Sequence, residues 1–136
     1  MKRLIALALC SACLGSIPAS AHHSLAAYNR STYKTVEGTV KTFEWTNPHA
    51  KLSVVVPGPG GTVTQWDFEG GSIGRLMGGG FKRDAVAPGD KVTVAYNPKR
   101  DGAVGGFFLA VTTADGTTYA LDRFNRFKGV APGEER

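Results

Sequence analysis

The chain has 136 residues, and its 16 basic residues against 11 acidic ones give a formal net charge of +5. This length predicts a single domain with one hydrophobic core. The positive excess is too small to predict a polybasic surface, so composition does not by itself argue for nucleic acid as a partner.

The first 21 residues have the pattern of a secretory signal peptide. Lys2 and Arg3 form a positive start, residues 4–15 are apolar or small, and Ala19-Ser20-Ala21 is a small-x-small cleavage signal. The apolar stretch is too short to remain in a bilayer as a span. We therefore expect cleavage after Ala21, a periplasmic or secreted bacterial protein, and no membrane span in the mature chain.

Both cysteines of the chain lie within this leader. Cleavage would remove Cys10 and Cys13, together with two basic residues, and leave 115 residues with a net charge of +3. The mature chain is therefore predicted to fold without disulfides in an oxidising compartment. Lipidation at Cys13 is the alternative outcome of export.

After the leader, short segments rich in β-branched and aromatic residues alternate with Gly, Pro, Asn and Asp, which is typical of an all-β domain. Residues 22–34 are predicted to form an N-terminal arm, 35–123 the domain and 124–136 a polar tail. Strands are predicted over residues 35–45, 50–56, 62–69, 91–96, 106–113 and 117–122.

Two local features favour an OB-like small β-barrel, closed or partly open. In the first strand the apolar positions change phase near Lys41-Thr42, which predicts a bulge that bends the strand. After the third strand, residues 72–77 predict a short helix with Ser72 as its N-cap. Three strands, a short helix and further strands form the OB-like order, with a small β-sandwich as the alternative.

The placement of the three histidines is the main functional signal. Cleavage after Ala21 makes His22 the first residue, and its free amine and imidazole can together chelate copper. His49, in the Trp-Thr-Asn-Pro-His turn at 45–49, is the natural third nitrogen ligand, and His23 is its substitute. Alternatively, His22 and His23 are only the polar start of an arm, and His49 caps a turn.

Cleavage after Ser20 would give a different site. The third residue would then be His23, so that the amine, two backbone amides and the imidazole could enclose Cu(II) or Ni(II) in a square plane. Zinc is less favoured in either version, because a closed zinc site needs four good ligands and the mature chain has no cysteine.

Four further residues are candidates for contact with a ligand or partner: Trp45, Asn47, Trp66 and Glu69. Tryptophans can stack a ligand or shield a metal ion, but in a small barrel they more often belong to the core. Asn47 before a proline is most simply a turn former, and Glu69 can supply a carboxylate or lie on a solvated strand face.

Other classes of function have less support. The mature chain has neither a cysteine nucleophile nor a G-x-S-x-G elbow, and residues 70–74 match no phosphate-binding loop. Basic and aromatic residues after position 98 could contact nucleic acid, but export and the small charge excess argue against it. We expect a copper carrier or sensor and not an enzyme. The alternatives are a metal-free module for a periplasmic protein or small ligand and, less favoured, a copper oxidative enzyme.

The sequence resembles the DUF6152 family, small exported bacterial proteins of unknown function. The resemblance spans nearly the whole mature chain. Its motifs are His22-His23-Ser24, Val36-Glu37-Gly38-Thr39-Val40, Phe43-Glu44-Trp45-Thr46-Asn47-Pro48-His49, Trp66-Asp67-Phe68-Glu69 followed by Gly71-Ser72, and Pro88-Gly89-Asp90-Lys91-Val92. The chain differs from the family pattern at Ala50-Lys51, where a bulky residue is usual. The resemblance implies export and the extent of the domain, and it implies no activity.

Overall fold

A computed structural model describes residues 25–121, together with residues 133 and 135. Short 3-10 turns lie at Leu25–Ala27 and Pro59–Gly61. The regular elements lie within two residues of the predicted ones. They are β1 (Lys34–Glu44), β2 (Lys51–Pro57), β3 (Val63–Glu69), α1 (Ile73–Gly78), β4 (Lys91–Pro98), β5 (Gly106–Thr113) and β6 (Thr118–Ala120).

These six strands belong to one sheet, with neighbours in the order β3-β2-β1-β4-β5-β6. A parallel pairing of β3 with β5, through Phe68 opposite Gly106 and Glu69 opposite Phe107, closes the first five strands into a ring. The ring order β1-β2-β3-β5-β4, with a helix between β3 and β4, is that of an OB-like small barrel. The predicted all-β class is confirmed, and the described strands do not divide into the two sheets of a sandwich.

Strand β1 bends, and this allows it to pair with two neighbours. Residues 34–39 pair with β4 and residues 39–44 pair with β2. The register against β2 shifts between Val40 and Thr42, so Lys41 is the extra residue of a bulge. The bulge predicted from the change of apolar phase is therefore confirmed.

Strand β4 is longer than predicted, because it reaches Pro98 and not Tyr96. A second register shift, between Ala95 and Tyr96, keeps the strand paired with β5 as far as Pro98 opposite Gly106. The residues on both sides of this shift are buried. Because consecutive residues are buried here, the alternation of apolar and polar residues that marks a strand in a sequence is lost. The end of β4 therefore could not be predicted from that alternation.

The interior of the ring is apolar and closely packed. In β2, Leu52 and Val54 are fully buried while Ser53 between them is partly exposed, as strand alternation requires. Leu76 of α1 and Phe81 after it join the same core, so the helix is packed onto the ring. Helix α1 has six residues, and within residues 25–121 no helix has the length and apolarity that a membrane span needs.

Candidate functional site

His49 lies in the loop between β1 and β2, and the backbone beside it is fixed. Ala50 is fully buried. Its amide donates to the Gly71 carbonyl at 3.0 Å, and its carbonyl accepts from the Gly70 amide at 2.8 Å. A side chain at position 70 is excluded, because a Cβ there would lie 2.2 Å from the ring of Phe108. The close approach of Gly70 to the core places its carbonyl oxygen beside the imidazole of His49.

Two oxygen atoms surround one ring nitrogen of His49. Its Nδ1 lies 2.5 Å from Oε1 of Glu69 and 3.1 Å from the carbonyl oxygen of Gly70. Both oxygens are acceptors, so Nδ1 carries a proton, and in the neutral ring Nε2 keeps the free lone pair. No residue in the described part of the chain makes a hydrogen bond to Nε2. The ring is therefore held in the tautomer that can bind a metal ion through Nε2.

The second carboxylate oxygen of Glu69 connects the site to the N-terminal arm. The Tyr28 hydroxyl donates to Oε2 of Glu69 at 2.8 Å, and the Tyr28 ring contacts Phe107 with centroids 5.7 Å apart. Tyr28 is only 7% exposed, and this burial, together with the hydrogen bond to Glu69, raises the pKa of its phenol well above the ordinary value. One carboxylate thus contacts both the turn histidine and the arm.

The arm is attached to the end of β4 and to the loop that follows it. Tyr28 forms a β-bridge with Lys99. Arg100 makes two hydrogen bonds to the arm, from its amide to the Ala27 carbonyl at 2.9 Å and from Nε to the Ala26 carbonyl at 3.1 Å. Sequence reasoning did not select Tyr28. The available signal was two tyrosines, Tyr28 and Tyr33, within a segment of mostly small and polar residues.

An open groove of about 790 Å³ runs past the histidine, on the outer face of β1, β2 and β3. Among the described residues, three carboxylates line it, from Glu44, Asp67 and Glu69, and two lysines, Lys51 and Lys99. With neutral histidine this described lining therefore carries one net negative charge, in a chain whose formal charge is +5. The local charge favours a cation over an anion.

Asp67 lies on the same face of β3 as Glu69 but has different partners. The Ser53 hydroxyl donates to its Oδ1 at 2.5 Å, and the Gln65 amide donates to the same oxygen at 2.9 Å. These hydrogen bonds lower the pKa of the Asp67 carboxyl below its ordinary value, and the charge of Lys99 contributes in the same direction. Asp67 is thus an ionised member of a polar cluster that does not include the histidine.

The four residues predicted to contact a ligand or partner occupy different positions. Glu69 contacts His49 directly. Asn47 lines the groove, and its Oδ1 accepts a hydrogen bond from the Ile73 amide at 3.0 Å, at the start of α1. Trp45 and Trp66 are partly buried and pack against the core. Ser72 caps α1 by accepting from the Arg75 amide at 3.4 Å, which confirms the predicted N-cap.

Two of the three predicted copper ligands, His22 and His23, lie outside the described residues. Within residues 25–121, 133 and 135, no group of three or more His, Cys, Asp or Glu side chains is placed to hold a metal ion. His49 and Glu69 form a pair.

The sequence matches the profile of DUF6152, described as a family of unknown function, over residues 9–109. The matched segment includes all three histidines, Tyr28 and Glu69. No curated protein and no solved structure is significantly similar to the chain. The match covers most of the chain and agrees with the motifs identified in the sequence, so this protein belongs to the DUF6152 family.

Proposed function

We propose that this protein is a periplasmic copper-binding protein, a carrier or sensor, in which His22 and His49 supply the ligands and His23 assists. The observation that carries the proposal is the 2.5 Å contact between Glu69 and Nδ1 of His49, which leaves Nε2 available. Histidines that bind metals are generally oriented in this way, by a carboxylate or carbonyl at the other ring nitrogen.

The position of the arm supports a contribution from the N-terminus. His22 precedes Leu25, where the 3-10 turn of the arm begins, by three positions, and three extended residues span about 10 Å. The Tyr28 hydroxyl lies 2.8 Å from the carboxylate that contacts His49. This contact brings the described arm to the edge of the candidate site, which supports a contribution from the residues that precede it.

The donor set supports copper over other metals. An N-terminal amine and two imidazoles give three nitrogen ligands, which suit Cu(II). The sequence has no cysteine after Cys13. A closed zinc site needs four good ligands. Among the described residues, no group of three or more His, Cys, Asp or Glu side chains is placed to hold a metal ion. The net negative charge of the groove adds a general preference for cations.

A second candidate function is a metal-free binding module. The groove favours it, because about 790 Å³ exceeds what one metal ion needs and is within the usual range for small-molecule sites. Polar groups of Thr46 and Asn47 line it beside the charged residues. Under this alternative, chelators and His22→Ala leave binding of the ligand unchanged.

The test is a Cu(II) titration of protein secreted and processed by a bacterial host, with intact mass to establish the first residue. We expect a chain that begins at His22 and binds one copper ion. Loss of a residue that only orients a metal ligand weakens binding by up to about 100-fold. Acetylation of the amine or His22→Ala removes a ligand itself, so either change should weaken binding by at least about 100-fold. His23→Ala is the matched control and should have a smaller effect. Binding no tighter than that of a free peptide of residues 22–28 would contradict the proposal.

A further inference from the structure

We infer that Glu69 couples docking of the N-terminal arm to metal binding at His49, so that the two form one linked equilibrium. This inference rests on the proposed copper site. It assigns Glu69 and Tyr28 as positioning residues, neither of which touches the metal ion itself. The arm segment concerned, residues 25–29, is described in full.

The coupling is carried by the two oxygens of one carboxylate. Oε1 of Glu69 lies beside Nδ1 of His49, and Oε2 accepts from the Tyr28 hydroxyl. A carboxylate with both oxygens engaged has one preferred orientation, because each contact restricts its rotation. Loss of the Tyr28 contact would release that orientation and weaken the Glu69 contact at Nδ1, leaving the Gly70 carbonyl oxygen, 3.1 Å away, as the remaining fixed partner of His49.

Tyr28 is also the main anchor of residues 25–29 of the arm. In residues 25–34 it is the only buried residue, and the 3-10 turn at Leu25–Ala27 buries no residue. The other attachments of residues 25–29 are hydrogen bonds, such as the one from the Arg100 amide to the Ala27 carbonyl. The later part of the arm is held separately, by the Asn97 side-chain amide, which donates to the Thr32 carbonyl at 2.7 Å, and by the packing of Tyr33 on a buried alanine cluster. Surface hydrogen bonds contribute little net stability, so the docked state of residues 25–29 depends largely on Tyr28.

Linkage makes the effect reciprocal. If a docked arm strengthens metal binding by holding Glu69 against His49, the bound metal must favour the docked arm by the same factor. A copper ion that joins His22 to His49 adds a second attachment of the arm to the loop. Metal binding should therefore protect backbone amides of the arm contact that do not touch the metal.

Hydrogen exchange and copper affinity, measured on the processed chain, test this inference. The informative amides are those of Asn29 and Arg100, which donate to Pro98 and Ala27 across the arm contact. Cu(II) should slow their exchange about tenfold, and Tyr28→Phe should speed it without metal. Tyr28→Phe should also weaken Cu(II) binding about tenfold, as expected for an outer-shell residue.

Two control variants separate the possible outcomes. Tyr119→Phe removes a hydroxyl from a tyrosine that packs on Phe81, away from the groove, and should change neither quantity. In the His49→Ala variant, any copper that still binds is held by the arm alone. Its binding should therefore leave the hydrogen-exchange rate of the Arg100 amide unchanged.

Wild-type protein that binds copper with unchanged exchange at both amides would overturn the coupling and leave the proposed function standing. Copper affinity of Tyr28→Phe equal to wild type would do the same. Absence of copper binding in the wild type would overturn the proposed function and the coupling with it. If Tyr28→Phe does not fold, exchange in the wild type with and without copper decides the question.

Discussion

Glu69 at the end of β3 lies 2.5 Å from Nδ1 of His49 in the loop before β2. The two residues meet because Lys51, the first residue of β2, pairs directly with Glu69 across the sheet. The loop that precedes β2 is thereby held beside the end of β3. Strand register thus sets which ring nitrogen of His49 is engaged and which is free.

Replacement of Glu69 by glutamine should weaken copper binding about 10- to 100-fold without unfolding the protein. The amide keeps the shape of the side chain but removes the charge that favours a protonated Nδ1. Competition titration against a chelator of known affinity measures the change. Asp67→Asn is the matched control, because Asp67 lines the same groove and bonds to Ser53 and Gln65 instead. Equal losses in both variants would mean that groove charge, and not orientation of His49, controls affinity.

Asn47→Ala should lower the free energy of unfolding by about 1 kcal/mol and leave copper affinity unchanged. The reason is that Asn47 accepts the hydrogen bond of the Ile73 amide at the start of α1. Asn47→Asp keeps an acceptor at this position and should retain most of the stability. Denaturant unfolding measures the first effect and titration the second. Unchanged stability with weakened ligand binding would instead favour the contact role that the sequence suggests for Asn47.

Two glycines in the loop between β4 and β5 provide a test of ring closure. Gly102 and Gly105 both have positive φ, 78° and 86°. A Cβ added at Gly102 would meet no atom within 4 Å, whereas a Cβ added at Gly105 would lie 2.2 Å from the Asp67 carbonyl oxygen. Gly102→Ala should therefore cost about 1–2 kcal/mol, the penalty for the left-handed conformation. Gly105→Ala should cost more than about 3 kcal/mol, because β3 must move away from β5. Equal costs in denaturant unfolding would show that the β3–β5 contact contributes little.

The carboxyl of Asp67 should titrate below its ordinary range, and Ser53→Ala should raise its pKa, because the Ser53 hydroxyl donates to the ionised form. A carboxyl whose pKa is lower in the folded state adds stability above its unfolded pKa. That stability is lost as pH falls through the lowered folded pKa. Ser53→Ala should reduce the stability that is lost when the pH falls from neutral to below the ordinary pKa of an aspartate. Carbon NMR of the side-chain carboxyl checks this, and an unchanged pKa in Ser53→Ala would contradict the assigned cause.

Much of the fold follows from local pattern. Alternation defines the strands, the change of apolar phase in β1 marks the bulge at Lys41, and Ser72 marks the start of α1. The end of β4 does not follow, because a register shift between Ala95 and Tyr96 depends on the neighbouring strand.

The candidate site could be predicted only in part. His49 and Glu69 were both identifiable as residues with suitable chemistry, but their contact depends on the pairing of β2 with β3 and on the absence of a side chain at Gly70. Tyr28 was missed because its role comes from packing on Phe107, a residue far along the chain. Contacts between distant segments leave no periodic signal in either segment.

The most direct test of the central claim is the Cu(II) affinity of His49→Ala compared with wild type, both secreted and beginning at His22. We expect one tightly bound copper ion in the wild type and at least about 100-fold weaker binding in the variant. The loss is large because His49→Ala removes an imidazole ligand, whereas a residue that only orients a ligand typically contributes about 10- to 100-fold. Equal affinity in the two proteins would mean that any copper is held by the N-terminal residues alone, and would remove His49 from the site.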